Sequence, residues 1–81
     1  MTYSVYILYS PSLDQYYVGQ TDNISNRLFR HNNSGSKSTK KANDWELKYH
    51  EPHLTRSAAV TRETEIKRKK SRKYIESLIA D

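Results

Sequence analysis

With 81 residues, the chain has room for one domain, near the lower end of what folds unaided. Only 35% of it is apolar and its net charge is +5, so the seven tyrosines must supply much of the buried area, and polyanions are favoured partners. The absence of cysteine excludes a disulfide framework, a thiolate metal site and a thiol nucleophile.

Residues 3–9 alternate, with Tyr3, Val5, Ile7 and Tyr9 on one face and Ser4, Tyr6 and Leu8 on the other, which predicts a strand. The N-terminus lacks the basic start and long apolar run of a signal peptide. No stretch approaches the roughly 18 apolar residues of a membrane span. A small cytoplasmic protein is expected. Pro11-Ser12-Leu13-Asp14 is turn chemistry, and residues 15–19 return as a second strand, giving a β-hairpin. Gly19 is expected to end that strand, where a Cβ would crowd backbone or ligand.

Asp22 or Thr21 then caps a helix over about 23–32, with Ile24 and Leu28 as its core stripe and Arg27 and His31 four apart on a neighbouring face. Ser, Asn, Gly and Lys dominate the stretch that follows, so residues 33–43 read as a long mobile loop carrying Lys37, Lys40 and Lys41. Trp45, Leu47 and Tyr49 alternate, predicting a third strand that stops before Pro52. Thr55 or Ser57 caps a second helix to about Lys69, and Ser71 opens a third with Tyr74, Ile75, Leu78 and Ile79 as its apolar side. The order is β-β-α-β-α-α, an α+β domain with a three-stranded, mainly antiparallel sheet flanked by helices.

Two features point to function. Lys67 to Lys73 holds six basic residues in seven within a basic C-terminal segment at 67–79, and such runs favour nucleic acid through counterion release. In the second helix Ala59, Glu63 and Ile66 share the inward stripe, whereas Glu65 points to solvent. An inward carboxylate requires a partner, and two readings stand: a salt bridge to Arg27 or Arg62, or a ligand for a hard cation such as Mg²⁺, which needs only one or two protein carboxylates.

Together these residues resemble the GIY-YIG nuclease superfamily, most closely its small stand-alone bacterial branch. Val5-Tyr6-Ile7 is similar to the first motif, with Ser4 near where the family name has glycine. Tyr17-Val18-Gly19 is similar to the second, with valine for isoleucine. Arg27, His31 and Glu63 match the downstream arginine, histidine and metal-binding glutamate, and Glu65-Ile66-Lys67 matches a run seen before the basic segment. Gln20 stands where relatives from excision repair often have a basic residue.

The resemblance implies metal-dependent endonucleolytic hydrolysis of DNA phosphodiesters, structure-directed or weakly sequence-specific, in DNA repair or processing, with RNA not excluded. Tyr6, Tyr17, Arg27, His31 and Glu63 are then the catalytic set, with Mg²⁺ (or Mn²⁺) on Glu63. A free phenol loses its proton near pH 10, so either tyrosine serves as base only if metal and Arg27 lower that value. Tyr17 is the favoured base, leaving Tyr6 to position water or phosphate. Gly19, Gln20, Lys37, Lys40, Lys41, Lys67, Arg68 and Lys70 are candidate nucleic-acid contacts, and a partner protein is a candidate source of target choice. The alternative is a non-catalytic nucleic-acid-binding module on the same fold.

Overall fold

The computed structural model describes residues 2–33 and 41–80. Its order is β1 (Tyr3–Ser10), β2 (Gln15–Thr21), α1 (Ile24–Asn33), β3 (Glu46–His53), α2 (Arg56–Lys69) and α3 (Arg72–Ala80), the α+β arrangement expected from the periodicities. Both β2 and β3 pair antiparallel with β1, giving the sheet order β2-β1-β3. Of the loop expected at 33–43, residues 34–40 lie outside the described residues, and Lys37 and Lys40 with them.

The central strand β1 buries both faces, which explains why it alternates between two apolar sets rather than between apolar and polar. Val5 and Ile7 pack with Val18, Ala59 and Ile66, and Tyr74, Ile75, Leu78 and Ile79 of α3 close over them. On the opposite face Tyr6 and Leu8 pack with Trp45, flanked by Tyr17, Leu28 and Leu47. A small chain thus builds two thin cores on one sheet, and rings supply much of the second.

Three boundaries and one register differ from expectation, each for a local reason. Gly19 does not end β2, which continues to Thr21. Asn23, not Asp22 or Thr21, caps α1, its Oδ1 accepting the Asn26 amide at 3.0 Å; Thr21 instead holds the Asn23 amide. Leu47 and Tyr49 fall on opposite faces because a bulge shifts the register, Leu47 pairing with Leu8 and Tyr49 with Ile7. Pro52 lies inside β3 opposite Ser4, which an edge strand tolerates because one side makes no ladder bonds.

Thr55 caps α2 in extended conformation, accepting the Ala58 amide at 3.1 Å. The helix ends on Lys70, which takes the left-handed conformation (φ 47°), and Ser71 caps α3 by accepting the Tyr74 amide. Around α2, Arg62 ties three elements together: Nε donates to both Glu51 oxygens at 3.2 and 3.1 Å, and Nη1 to Glu65 and the Tyr74 hydroxyl. Tyr49 and His53 add hydrogen bonds to Glu51. The Arg62 and Glu51 side chains are only 23% and 20% exposed, so Arg62→Ala strands a mostly buried carboxylate. We expect a loss of about 2–4 kcal/mol, and a melting temperature lowered by about 10 °C or more. A thermal melt showing a shift below about 3 °C would contradict this.

Candidate active site

The β1–β2 ladder sets the site. Tyr6 lies opposite Gly19, and a Cβ on Gly19 would stand 2.6 Å from the Tyr6 hydroxyl oxygen and 2.7 Å from Cζ. Where crowding by backbone was expected, the nearest atoms are side chains: the Tyr6 phenol occupies the space. Passing over Gly19, the phenol meets α1, where its oxygen is 3.0 Å from His31 Nε2.

Burial dominates the electrostatics of this pair. Tyr6 is 1% exposed and His31 5%. Desolvation, followed by the nearby Tyr17 and opposed by the Arg27 charge, pushes the Tyr6 phenol up to about 12, the opposite of the lowering a base would need. Burial first, then the Arg27 and Arg30 charges, lowers His31 below the ordinary histidine value. Arg27 can only donate, so the Tyr6 oxygen accepts from the guanidinium while sharing a hydrogen bond with His31 Nε2.

These directions carry a pH signature. Because the folded state resists a proton on His31, stability should fall as pH drops below the unfolded histidine value of about 6.5 and level off beneath the lower folded value. Thermal melts from pH 7.5 to 5 should show that decline, and His31→Asn should flatten it. An unchanged slope in the variant would contradict the assignment.

Tyr17 is more accessible. Its ring lies 4.8 Å from His31, 6.3 Å from Tyr6 and 6.4 Å from Trp45, edge-on to the last. Trp45 is locked to α1 by reciprocal bonds with the Asn32 amide at 2.7 and 3.0 Å. From α2, the Lys67 ammonium reaches 5.9 Å from the Tyr17 ring centre and 2.6 Å from Glu63 Oε2. The Glu63 side chain is 19% exposed, and its charge acts on the Tyr6 phenol alongside that of Arg27.

All five expected catalytic positions therefore converge, through Tyr6, Tyr17 and Lys67. The salt bridge expected between Glu63 and Arg27 or Arg62 is replaced by Lys67, and Arg62 is committed to Glu51. Of the expected nucleic-acid contacts, Lys67 and Lys70 line a groove with Tyr17, whereas Arg68 lines a separate concavity with Arg62 and Tyr74. Lys41 is exposed at the end of the loop. Gln20 accepts a long hydrogen bond from Arg56, and the absent side chain of Gly19 leaves room for the Tyr6 phenol. Sequence reasoning missed Trp45 and Asn32 as walls of the site and Lys67 as the partner of Glu63. The four-residue spacing from Glu63 to Lys67 was the available signal.

No group of three or more His, Asp or Glu side chains that could hold a metal occurs among the described residues. The donor set is one carboxylate, which fits a hard cation that keeps most of its waters, as Mg²⁺ does. No helix is long and apolar enough to cross a membrane among the described residues.

No curated protein and no solved structure matches the chain significantly. The model of the GIY-YIG catalytic domain matches residues 2–75, a span that holds both tyrosine motifs, Arg27, His31 and Glu63. Enzymes built on this domain are generally divalent-metal dependent and act on nucleic acid. The chain belongs to the GIY-YIG nuclease family.

Proposed function

We propose that this domain is a metal-dependent endonuclease that hydrolyses DNA phosphodiester bonds with little sequence preference, working in cytoplasmic DNA processing or repair, with a partner protein adding target choice. The observation that carries the reading is the convergence of two phenols, a guanidinium and a partly exposed carboxylate between α1, β2 and α2. Burial sorts these groups into two ranks. Tyr17, Arg27 and Glu63 are partly exposed and form the reacting face, while Tyr6 and His31 stand behind them as positioning residues.

In hydrolysis a water oxygen bonds to phosphorus as the bond to the leaving sugar oxygen breaks. Tyr17 takes the water proton as its own hydroxyl proton passes to solvent, and solvent protonates the leaving oxygen. Arg27 faces the negative charge that accumulates on the non-bridging oxygens, where a planar, permanently charged donor is better than lysine. Tyr6 keeps its proton and holds His31 and Arg27 in place. Glu63 would hold Mg²⁺ or Mn²⁺, which when bound polarises the phosphate and stabilises the leaving oxygen.

The test is a cleavage panel of flaps, branches, duplexes and single strands with Mg²⁺ or Mn²⁺. Cleavage is expected in wild type, with Tyr17→Phe falling about 100-fold or more and Tyr6→Phe falling less. Absence of cleavage on every substrate would leave the binding-module reading in its place.

A further inference from the structure

A groove of about 550 Å³ runs between the outer edge of β2 and the α2–α3 junction, within the size range of small-ligand sites. It shares Tyr17 and Lys67 with the candidate active site, so whatever lies in it continues directly from the reacting face. Two non-glycine residues have positive φ among the described residues, Asp14 at 53° and Lys70 at 47°, and both line this groove. Glycine would take either backbone position freely. Asp14 takes this conformation in the hairpin turn and Lys70 as the cap that ends α2, so both aim a charged side chain at one concavity.

What those side chains do is specific. Asp14 accepts from Arg72 Nη2 at 2.6 Å, and its carbonyl accepts from Nη1 at 3.0 Å. Glu76 accepts from Nε at 3.3 Å. The guanidinium is thereby fixed over the Tyr16 ring, 5.2 Å from its centre. Two carboxylates neutralise its charge, so Arg72 offers the groove a rigid plane rather than a phosphate clamp. Lys70 is different: its ammonium has no ion pair among the described residues, and it stands one turn beyond Lys67. Facing them, β2 is an edge strand, so alternate backbone N–H and C=O groups point outward.

A plane for stacking, an unpaired cation and free backbone groups are what an extruded nucleotide needs. We propose that this groove seats one unpaired nucleotide next to the scissile phosphate, its base stacked on the Arg72 guanidinium and its phosphate on Lys70 and Lys67. The proposal rests on the nuclease reading and sharpens it: the preferred substrate is a strand locally unpaired beside the cut. An extended peptide pairing with the β2 edge is the competing occupant, but the cations and the continuity with Tyr17 favour a polynucleotide.

The wild-type chain in EDTA is titrated with a single-stranded oligonucleotide carrying one 2-aminopurine and with the matched duplex. Binding is followed by fluorescence and by amide shifts of residues 14–18 and 70–72. The single strand should bind about tenfold tighter than the duplex and change the probe's fluorescence by stacking. Arg72→Lys, which keeps the charge but not the plane, should abolish that change with affinity held within about threefold. Lys70→Gly should raise the melting temperature by about 3 °C yet weaken binding about fivefold and reduce the salt slope by about one.

Binding without shifts in the groove overturns this proposal and leaves the nuclease reading standing. Binding of neither form overturns both. Shifts along β2 with an extended peptide but not with the oligonucleotide assign the groove to a protein partner and overturn it as well.

Discussion

Replacing Glu63 by Gln is expected to abolish metal-stimulated cleavage, by about 10³-fold or more, while leaving the fold intact. The size follows from its position as the carboxylate of the site: the amide keeps the shape of the side chain but not the charge that would hold a divalent cation. The fold should survive because Glu63 contributes little to it. Its partner Lys67 is 51% exposed, and a pair of this kind at helical spacing contributes about 0.5 kcal/mol. The melting temperature should therefore stay within about 3 °C of wild type. Glu63→Asp, which keeps the charge but shortens the reach, should fall between the two. The measurement is single-turnover cleavage across a Mg²⁺ or Mn²⁺ titration beside a thermal melt. Cleavage within tenfold of wild type would remove Glu63 from the chemistry, and a collapsed melt would recast it as structural.

Much of this site was legible because its parts are local. A hairpin places Tyr6 beside Tyr17 and Gly19 by register alone, and a capped helix directly after β2 brings Arg27 and His31 to the same end of the sheet. Glu63 was legible by contradiction, a carboxylate on a stripe otherwise made of Ala59 and Ile66. What periodicity does not carry is which partner a charged side chain selects. Lys67 belongs to a run of cations that look equivalent in sequence, yet Lys67 turns to Glu63 and Tyr17, Arg68 to the Arg62 side of α2, and Arg72 to Asp14. One helical position is 100° of rotation, so neighbours in the run face unrelated surroundings. The bulge in β3 was hidden for a similar reason: Leu47 and Tyr49 obey period two in sequence and violate it in space. The depth of Tyr6 was also out of reach, because it depends on α1 and Trp45 covering the second face of the sheet.

That depth makes Gly19 a sensitive position behind the proposed reacting face. Gly19→Ala is expected to cost about 1–3 kcal/mol and to lower cleavage about 100-fold. The backbone at Gly19 is not left-handed, so the effect is purely steric: the new Cβ would lie 2.6 Å from the Tyr6 hydroxyl oxygen, 2.7 Å from Cζ and 3.1 Å from Tyr17 Cε1. A surface tyrosine would swing away, but Tyr6 is 1% exposed and packed among Leu8, Trp45 and Tyr17. Displacement then breaks the 3.0 Å contact with His31 and disturbs Arg27, which faces the same oxygen. Tyr6→Leu removes both colliding Tyr6 atoms, so it should cost less stability in the Gly19→Ala background than in wild type, a favourable coupling in a double-mutant cycle. Activity should not return, because the hydroxyl that holds His31 is gone. Thermal melts and single-turnover rates on the four proteins check both halves. Additive stability losses would mean that Gly19 is small for some reason other than the Tyr6 phenol, while full activity in Gly19→Ala would show that the phenol's position does not matter to the reaction.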